Sequence, residues 1–149
     1  MPSCTSSVTV QAPPERVFAV CTDLARAPDR IEAITRIDVL TEGPVGVGTR
    51  FRETRLMFGR EASEEMEIVE FDPPRSFVMS AESHGMRYRT AHRFVPSGED
   101  TRVEIEFSGR AVSLGAKLLL PLGALMMSAC RKALNKDLAD MKRAIEAGE

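Results

Sequence analysis

The periodicity of the chain changes once, from short β-prone runs to a single long amphipathic segment that begins near residue 113. In that segment apolar residues recur at steps of three and four: Met127, Cys130, Leu134, Leu138, Met141 and Ile145. This spacing predicts one helix from Leu122 to Ala147 with a single apolar stripe. The residues assigned to its solvated face are Arg131, Lys132, Lys136, Asp137, Asp140, Lys142 and Arg143. A helix of this kind needs a second layer on which to bury its stripe.

Turn signals divide the preceding region into β-prone runs and indicate an antiparallel meander. The runs are Thr49–Phe58, Arg60–Phe71, Arg75–His84, Met86–Val95 and Thr101–Gly109. Two earlier strands are predicted at Ser7–Gln11 and from Ile34 through Val39. Short helical pieces lie between these two, one starting at Pro14 and one over Asp23–Arg30, where Pro28 is expected to break the helix. The order predicts an α+β fold, with a curved seven-stranded antiparallel sheet around a long C-terminal helix.

Composition and charge narrow the function classes. The 149 residues suit one domain over 1–149, and the net charge of −2 argues against nucleic-acid binding. Cys4, Cys21 and Cys130 form no metal-binding or disulfide pattern, so we expect no metal and no cofactor.

The N-terminal residues do not resemble a signal peptide. The most apolar stretch, Leu118–Cys130, is shorter than the ~20 residues that span a bilayer. We therefore expect a cytoplasmic protein with no integral membrane segment.

Strand alternation predicts which side chains face the helix. On Met86–Val95, three arginines occupy one face. Because charged side chains must remain exposed to solvent, Tyr88, Thr90 and His92 on the other face point inward. The inner face of the neighbouring run carries Phe77, Met79, Ala81 and Ser83. The inner face of Thr49–Phe58 carries Phe51, Glu53, Arg55 and Met57. Later in the chain, Val103, Ile105 and Phe107 alternate with charged residues and also face inward.

The run Arg60–Phe71 can be oriented in two ways. Ala62, Glu64, Met66 and Ile68 compete with Ser63, Glu65, Glu67, Val69 and Phe71 for the inner face, and a bulge would let the strand switch faces midway. The acidic residues Glu61, Glu64, Glu65 and Glu67 have strand-like spacing and lack a calcium-loop pattern. They are interpreted as a solvated face.

Four sequence features resemble the START/Bet v 1-like (SRPBCC) superfamily, in its bacterial branch of polyketide cyclase/dehydrase and lipid-transport-like proteins. They are Val10–Phe18, the glycine-rich run Gly43–Phe51, Phe71–Arg75 and the long C-terminal helix. The resemblance implies a helix-grip fold with a hollow between sheet and helix. Many relatives carry an aromatic residue after the proline of the second short helix, whereas Asp29 follows Pro28 in this chain.

The resemblance and the inward-facing residues leave three functions open. The first is binding or transport of a hydrophobic small molecule, such as a lipid, a quinone or a polyketide. The residues expected to line its cavity are Phe51, Glu53, Met66, Phe77, Met79, Ala81, Tyr88, Thr90, His92, Phe107, Leu122, Met126, Met127 and Cys130.

The second function is a polyketide cyclase/aromatase or dehydrase. In it His92 would act as a general base that Glu53 orients, and Tyr88 as an acid or oxyanion donor. The third is a protein-interaction module that uses the apolar Leu118–Met127 surface, with a homodimer as one form of it.

Overall fold

A computed structural model describes residues 3–113 and 123–148, with the side chains of the last helix described from Ser128 onward. Its strands are β1 (Ser3–Val10), β2 (Ile34–Val39), β3 (Arg50–Met57), β4 (Arg60–Asp72), β5 (Ser76–Ser83), β6 (Met86–Ser97) and β7 (Asp100–Ala111). Its helices are α1 (Pro14–Cys21), a 3₁₀ turn (Leu24–Arg26), α2 (Ala27–Arg30) and α3 (Gly123–Glu146). The element order is the predicted one.

The seven strands form one antiparallel sheet in the order β1-β7-β6-β5-β4-β3-β2. Consecutive strands from β2 to β7 are neighbours, and β1 closes the order by pairing with β7. The helix α3 runs along the β1 edge. Asn135 hydrogen-bonds Ser6, Lys142 donates to the carbonyl of Thr9, and the Glu146 carboxylate accepts from the backbone N–H of Gln11. The sheet therefore curves around α3 as a helix-grip fold, which confirms the predicted architecture.

Local sequence explains most element boundaries. Pro14 begins α1, where its fixed φ is compatible with a helix and its missing N–H removes no helical hydrogen bond. The prediction that Pro28 breaks the second helical piece was wrong, because Pro28 lies in the first turn of α2. The helix boundary falls between the 3₁₀ turn and α2 instead. Proline is tolerated in a first turn for the same reason as in α1.

A bulge in β4 resolves the two orientations of this strand. The register between β4 and β5 shifts between Ile68 and Glu70. Before the shift, Met66 and Ile68 lie on the inner face, and Phe71 lies on it after the shift. The extra residue turns the strand by one position, so alternation changes phase midway. Glu64 also lies on the inner face, and its assignment to a solvated acidic surface was wrong.

The predicted stripe of α3 is confirmed from Cys130 onward, with Leu138, Met141 and Ile145 buried. Two residues assigned to its solvated face are not solvated. Asp140 is buried and accepts hydrogen bonds from the Glu32 backbone and from Lys136 and Arg143. Asp137 pairs with Arg55 of β3. Both acids border the apolar stripe, and tertiary contacts cover them.

Candidate functional site: a half-open cleft under the C-terminal helix

The concave face of the sheet has two halves. In the first, which we call the closed half, side chains of the sheet, α1 and α3 pack into one buried cluster. Its members include Val10, Phe18, Phe77, Phe94, Val103, Ile105, Leu138, Met141 and Ile145. Phe18 lies at the centre, with its ring 5.3 Å from Phe71 and 5.3 Å from Phe94. The described side chains of this half pack on one another rather than on open space.

In the second half, which we call the open half, the inward-facing side chains are only partly buried. Its apolar members are Met66, Met79, Ala81, Met86, Phe107 and Cys130. Its polar members are Glu53, Arg55, Glu64, Tyr88, Thr90 and Asp137. The aromatic rings of Tyr88 and Phe107 stack at 5.4 Å. Solvent therefore reaches a surface that points toward α3, which is the geometry of a cleft.

The open half contains an ion-pair cluster centred on Arg55. Its guanidinium donates two hydrogen bonds to the Asp137 carboxylate, at 3.2 and 2.7 Å, and lies 3.4 Å from Glu53. All three side chains are less than one-fifth exposed. Burial raises the pKa of Glu53 because its charged form loses water, and Arg55 only partly offsets this effect. Nearby Asp137 and Glu64 raise that pKa further by like-charge repulsion.

Tyr88 stands beside this cluster. Burial raises the pKa of its hydroxyl, and the negative charge of Glu64 adds to the effect. A cross-strand contact explains its position, because Tyr88 pairs with Gly109 on β7. A Cβ atom at Gly109 would lie 3.3 Å from the Tyr88 ring, so the absence of a side chain there gives the ring its place. Tyr88 is thus held as a neutral hydroxyl that faces the cleft.

His92 belongs to the boundary between the halves. Its ring stacks on Phe77 at 4.3 Å, and its Nδ1 is buried with no hydrogen-bond partner among the described residues. Burial lowers the pKa of His92 to about 4, because the protonated ring would lose its hydration. His92 is therefore neutral near pH 7.

The strand register separates the residues that the cyclase hypothesis groups together. Glu53 pairs with Glu64, whereas His92 pairs with Phe77, which pairs with Phe71. Glu64 and Phe71 are roughly 20 Å apart along β4 at ~3.3 Å per residue. Glu53 therefore does not orient His92. The structure instead brings Glu53 together with Arg55 and Asp137.

The other predicted lining residues fall into two groups. Phe51 and Phe77 are almost fully buried and present little surface to a ligand. Leu122 and the side chains of Met126 and Met127 lie outside the described residues, as does the Leu118–Met127 surface.

Sequence reasoning missed Asp137 as a site residue and did not single out Arg55. The alternation of β3 already placed Arg55 inward, and an inward arginine requires a buried acid, which was the available signal.

Two surface depressions lie near the sheet, and the first of them borders the cleft. A groove of about 250 Å³ lies between the end of β3 and α3, lined by Arg55, Met57, Phe58, Ala129 and Lys132 among others. A larger depression of about 610 Å³ involves β1, β5, β6 and β7. Its lining mixes outer-face residues such as Arg89 with inner-face His92. A hydrogen-bonded sheet separates those faces, so this depression is not one ligand cavity.

The part of the chain that the structure describes contains no cluster of three or more candidate metal ligands. Within the same residues, no helix is long and apolar enough to cross a membrane.

Comparison with known proteins gives the family. Residues 1–146 match the family described as polyketide cyclase / dehydrase and lipid transport. The chain belongs to this family. No functionally curated protein matches the chain at a significant level.

Solved structures with the same fold extend over nearly the whole chain. A Thermus thermophilus protein is 22% identical with a TM-score of 0.79, covering 99% of this chain and 100% of that one. The Zhui aromatase/cyclase of a Streptomyces species is 16% identical with a TM-score of 0.81, covering 97% and 93%. A START superfamily protein of Mycobacterium smegmatis is 13% identical with a TM-score of 0.68, covering 93% and 98%. At these identities the similarity shows the fold.

Proposed function

We propose that the chain binds a mostly apolar small molecule, such as a lipid, a quinone or a polyketide, in the open half of the concave face. One observation carries this proposal: methionine and aromatic side chains face α3 from the sheet and yet remain accessible. Apolar surface in a concave site gains free energy when a ligand removes it from water, at ~25 cal/mol per Å². The family description, which names lipid transport, supports the same function.

The charges of the open half favour a ligand with a neutral polar group. Arg55 is already engaged by Asp137 and Glu53, and Glu64 adds a third carboxyl group nearby. A ligand carboxylate would face this excess of acidic groups and be repelled. A hydroxyl or carbonyl oxygen carries no such penalty and can accept hydrogen bonds from Arg55 or Tyr88. We therefore expect alcohols, ketones and quinones to bind better than fatty acids.

A binding assay with paired ligands tests this function. Nile red, a neutral apolar dye, reports occupancy of the cleft, and 1-dodecanol and dodecanoate compete for it at pH 7.5. We expect dodecanol to displace the dye at a concentration about tenfold lower than dodecanoate. Tighter binding of dodecanoate would contradict the expectation that the polar group of the ligand is neutral.

Two matched variants locate the ligand. Ala81 lies on the inner face of β5, whereas Ala91 lies on the outer face of β6. Ala81→Phe fills the cleft and is expected to abolish dye binding, while Ala91→Phe leaves it intact. His92→Gln keeps size and hydrogen-bonding capacity, so it should change affinity little. Dye binding by Ala81→Phe at the wild-type level would place the ligand elsewhere.

A cyclase or aromatase is the second candidate, favoured by the raised pKa of Glu53 next to Arg55 in a partly buried cluster. Such a carboxyl group holds a proton more readily than usual and could exchange it with a substrate enol or carbonyl. A linear poly-β-ketone thioester is the substrate to test. If the chain is an enzyme, Glu53→Gln should lower the cyclisation rate by roughly 10²–10⁴-fold with dye binding retained. If the protein does not change the rate of spontaneous cyclisation of this substrate, ligand binding is the one function that remains.

A further inference from the structure

The turn between β3 and β4 presents an aromatic side chain in a conformation that aromatic residues rarely adopt. Phe58 has φ 53° and Gly59 has φ 75°, and together they form a two-residue turn between the paired residues Met57 and Arg60. Positive φ at both positions is favoured by Asn-Gly, because asparagine tolerates the left-handed region and phenylalanine does not. Phe58 is also 78% exposed, so packing does not compensate for the strain. Neither turn geometry nor the core explains this residue.

Phe58 does not stand alone as an exposed apolar residue at this turn. Leu56 is 50% exposed, and a hydrogen bond from its backbone N–H to the carbonyl of Ala33 fixes its position. The groove of about 250 Å³ continues from these residues to Ala129 and Ala133 of α3. Leu56 near the end of β3 and Phe58 in the turn thus line one groove together with Arg55.

Cations flank the apolar tip. Arg60 follows the turn directly, and Lys132 lines the groove. Both are exposed, and neither has an ion-pair partner among residues 3–113 and 123–148. Glu61 is the acidic residue next to the turn. The tip therefore combines protruding apolar groups with cations that are free to meet phosphate groups.

We propose that the β3–β4 turn is a docking site for an anionic lipid surface. Phe58 and Leu56 insert at the level of the headgroups, and Arg60 and Lys132 contact the lipid phosphates. An aromatic residue, an aliphatic residue and unpaired cations around one groove match the chemistry of that interface. The position of the turn would place the cleft mouth against the lipid. This inference does not require a ligand in the cleft, so its test is independent of the test of the proposed function.

Vesicle sedimentation tests the docking site on the full chain. Vesicles of phosphatidylcholine alone are compared with vesicles that also contain phosphatidylglycerol. We expect binding to the anionic vesicles that weakens with salt. Phe58→Asn removes the apolar group while suiting the turn, so it should weaken binding about tenfold or more with stability equal or higher. The double variant Arg60→Gln, Lys132→Gln should weaken binding to anionic vesicles about tenfold or more.

Val47→Asn is the matched control, because Val47 is 69% exposed but precedes β3 at its opposite end. It should bind vesicles like the wild type. Wild-type binding by Phe58→Asn, or equal binding to both kinds of vesicle, would overturn the proposal. So would a concentration-dependent dimer that Phe58→Asn abolishes in a protein that does not bind vesicles, because the turn would then contact a second copy.

Discussion

The closed and open halves of the concave face are built from the same strands and the same helix, yet they differ in packing. Around Phe18 and Leu138, aromatic and aliphatic side chains fill the space between sheet and helix. Around Tyr88 and Arg55, the inward side chains are methionines, small residues and charged groups that leave surface accessible.

The difference follows from what covers each half. The helix α1 supplies Val17 and Phe18 to the closed half, where they fill the gap between sheet and α3. Of the apolar residues of the open half, Met79 borders this buried cluster, whereas Ala81, Met86 and Phe107 do not belong to it. One end of the concave face is therefore closely packed, and the other end keeps apolar surface accessible.

The largest expected effect lies in the closed half. Leu138→Ala removes a buried side chain from the main cluster and should lower the free energy of unfolding by ~2–5 kcal/mol. Leu134, four residues earlier, is only partly buried, so Leu134→Ala should cost less than half as much. Urea denaturation measures both.

The exposed Arg131 serves as a control for the same helix, and Arg131→Ala should change stability by no more than ~0.5 kcal/mol. Equal losses for the two leucine variants would show that Leu134 is packed as tightly against the cluster as Leu138.

The second effect concerns the boundary residue His92. Its pKa is about 4 when folded and ~6.5 when unfolded, so between these values the unfolded chain binds a proton that the folded chain does not. Stability should therefore fall as the pH drops from 6.5 to 4, by at most about 3 kcal/mol from this group. His92→Gln should remove this part of the pH dependence.

Urea midpoints at pH 7.5 and pH 4.5 measure the difference between the two proteins. His84→Gln is the matched control, since His84 is exposed in the β5–β6 turn, and it should keep the wild-type pH dependence. If His92→Gln and the wild type lose equal stability at pH 4.5, His92 lies in an open, hydrated environment.

The smallest effect is local to the open half. Gly109→Ala places a methyl group against the Tyr88 ring, which can give way toward the cleft, so it should cost about 1 kcal/mol or less. The chain has one tyrosine and no tryptophan, so ultraviolet fluorescence reports Tyr88 alone. We expect Gly109→Ala to change this emission.

Gly46→Ala is its counterpart, because a Cβ atom there meets nothing within 4 Å. It should leave the Tyr88 emission unchanged. Identical emission spectra for Gly109→Ala and the wild type would mean that Tyr88 does not rest on Gly109.

Local sequence was sufficient to predict the order of elements and the faces of most strands. Alternation on β6 separates three arginines from Tyr88, Thr90 and His92, because charged side chains must stay hydrated. The stripe of α3 follows from helical spacing in the same way. These are properties of residues close together in the chain, so a single sequence contains them.

Long-range pairing decided the rest. Register placed Glu53 far from His92, because residues on one face of a sheet meet only when their strands align. Asp137 and Asp140 look solvated by spacing alone, yet Arg55 and the Glu32 backbone cover them. The sequence by itself determined which side chains point inward on every strand but β4, since alternation is local and the bulge in β4 interrupts it. Only the tertiary structure decided which of them meet, because that depends on how the sheet curves around the helix.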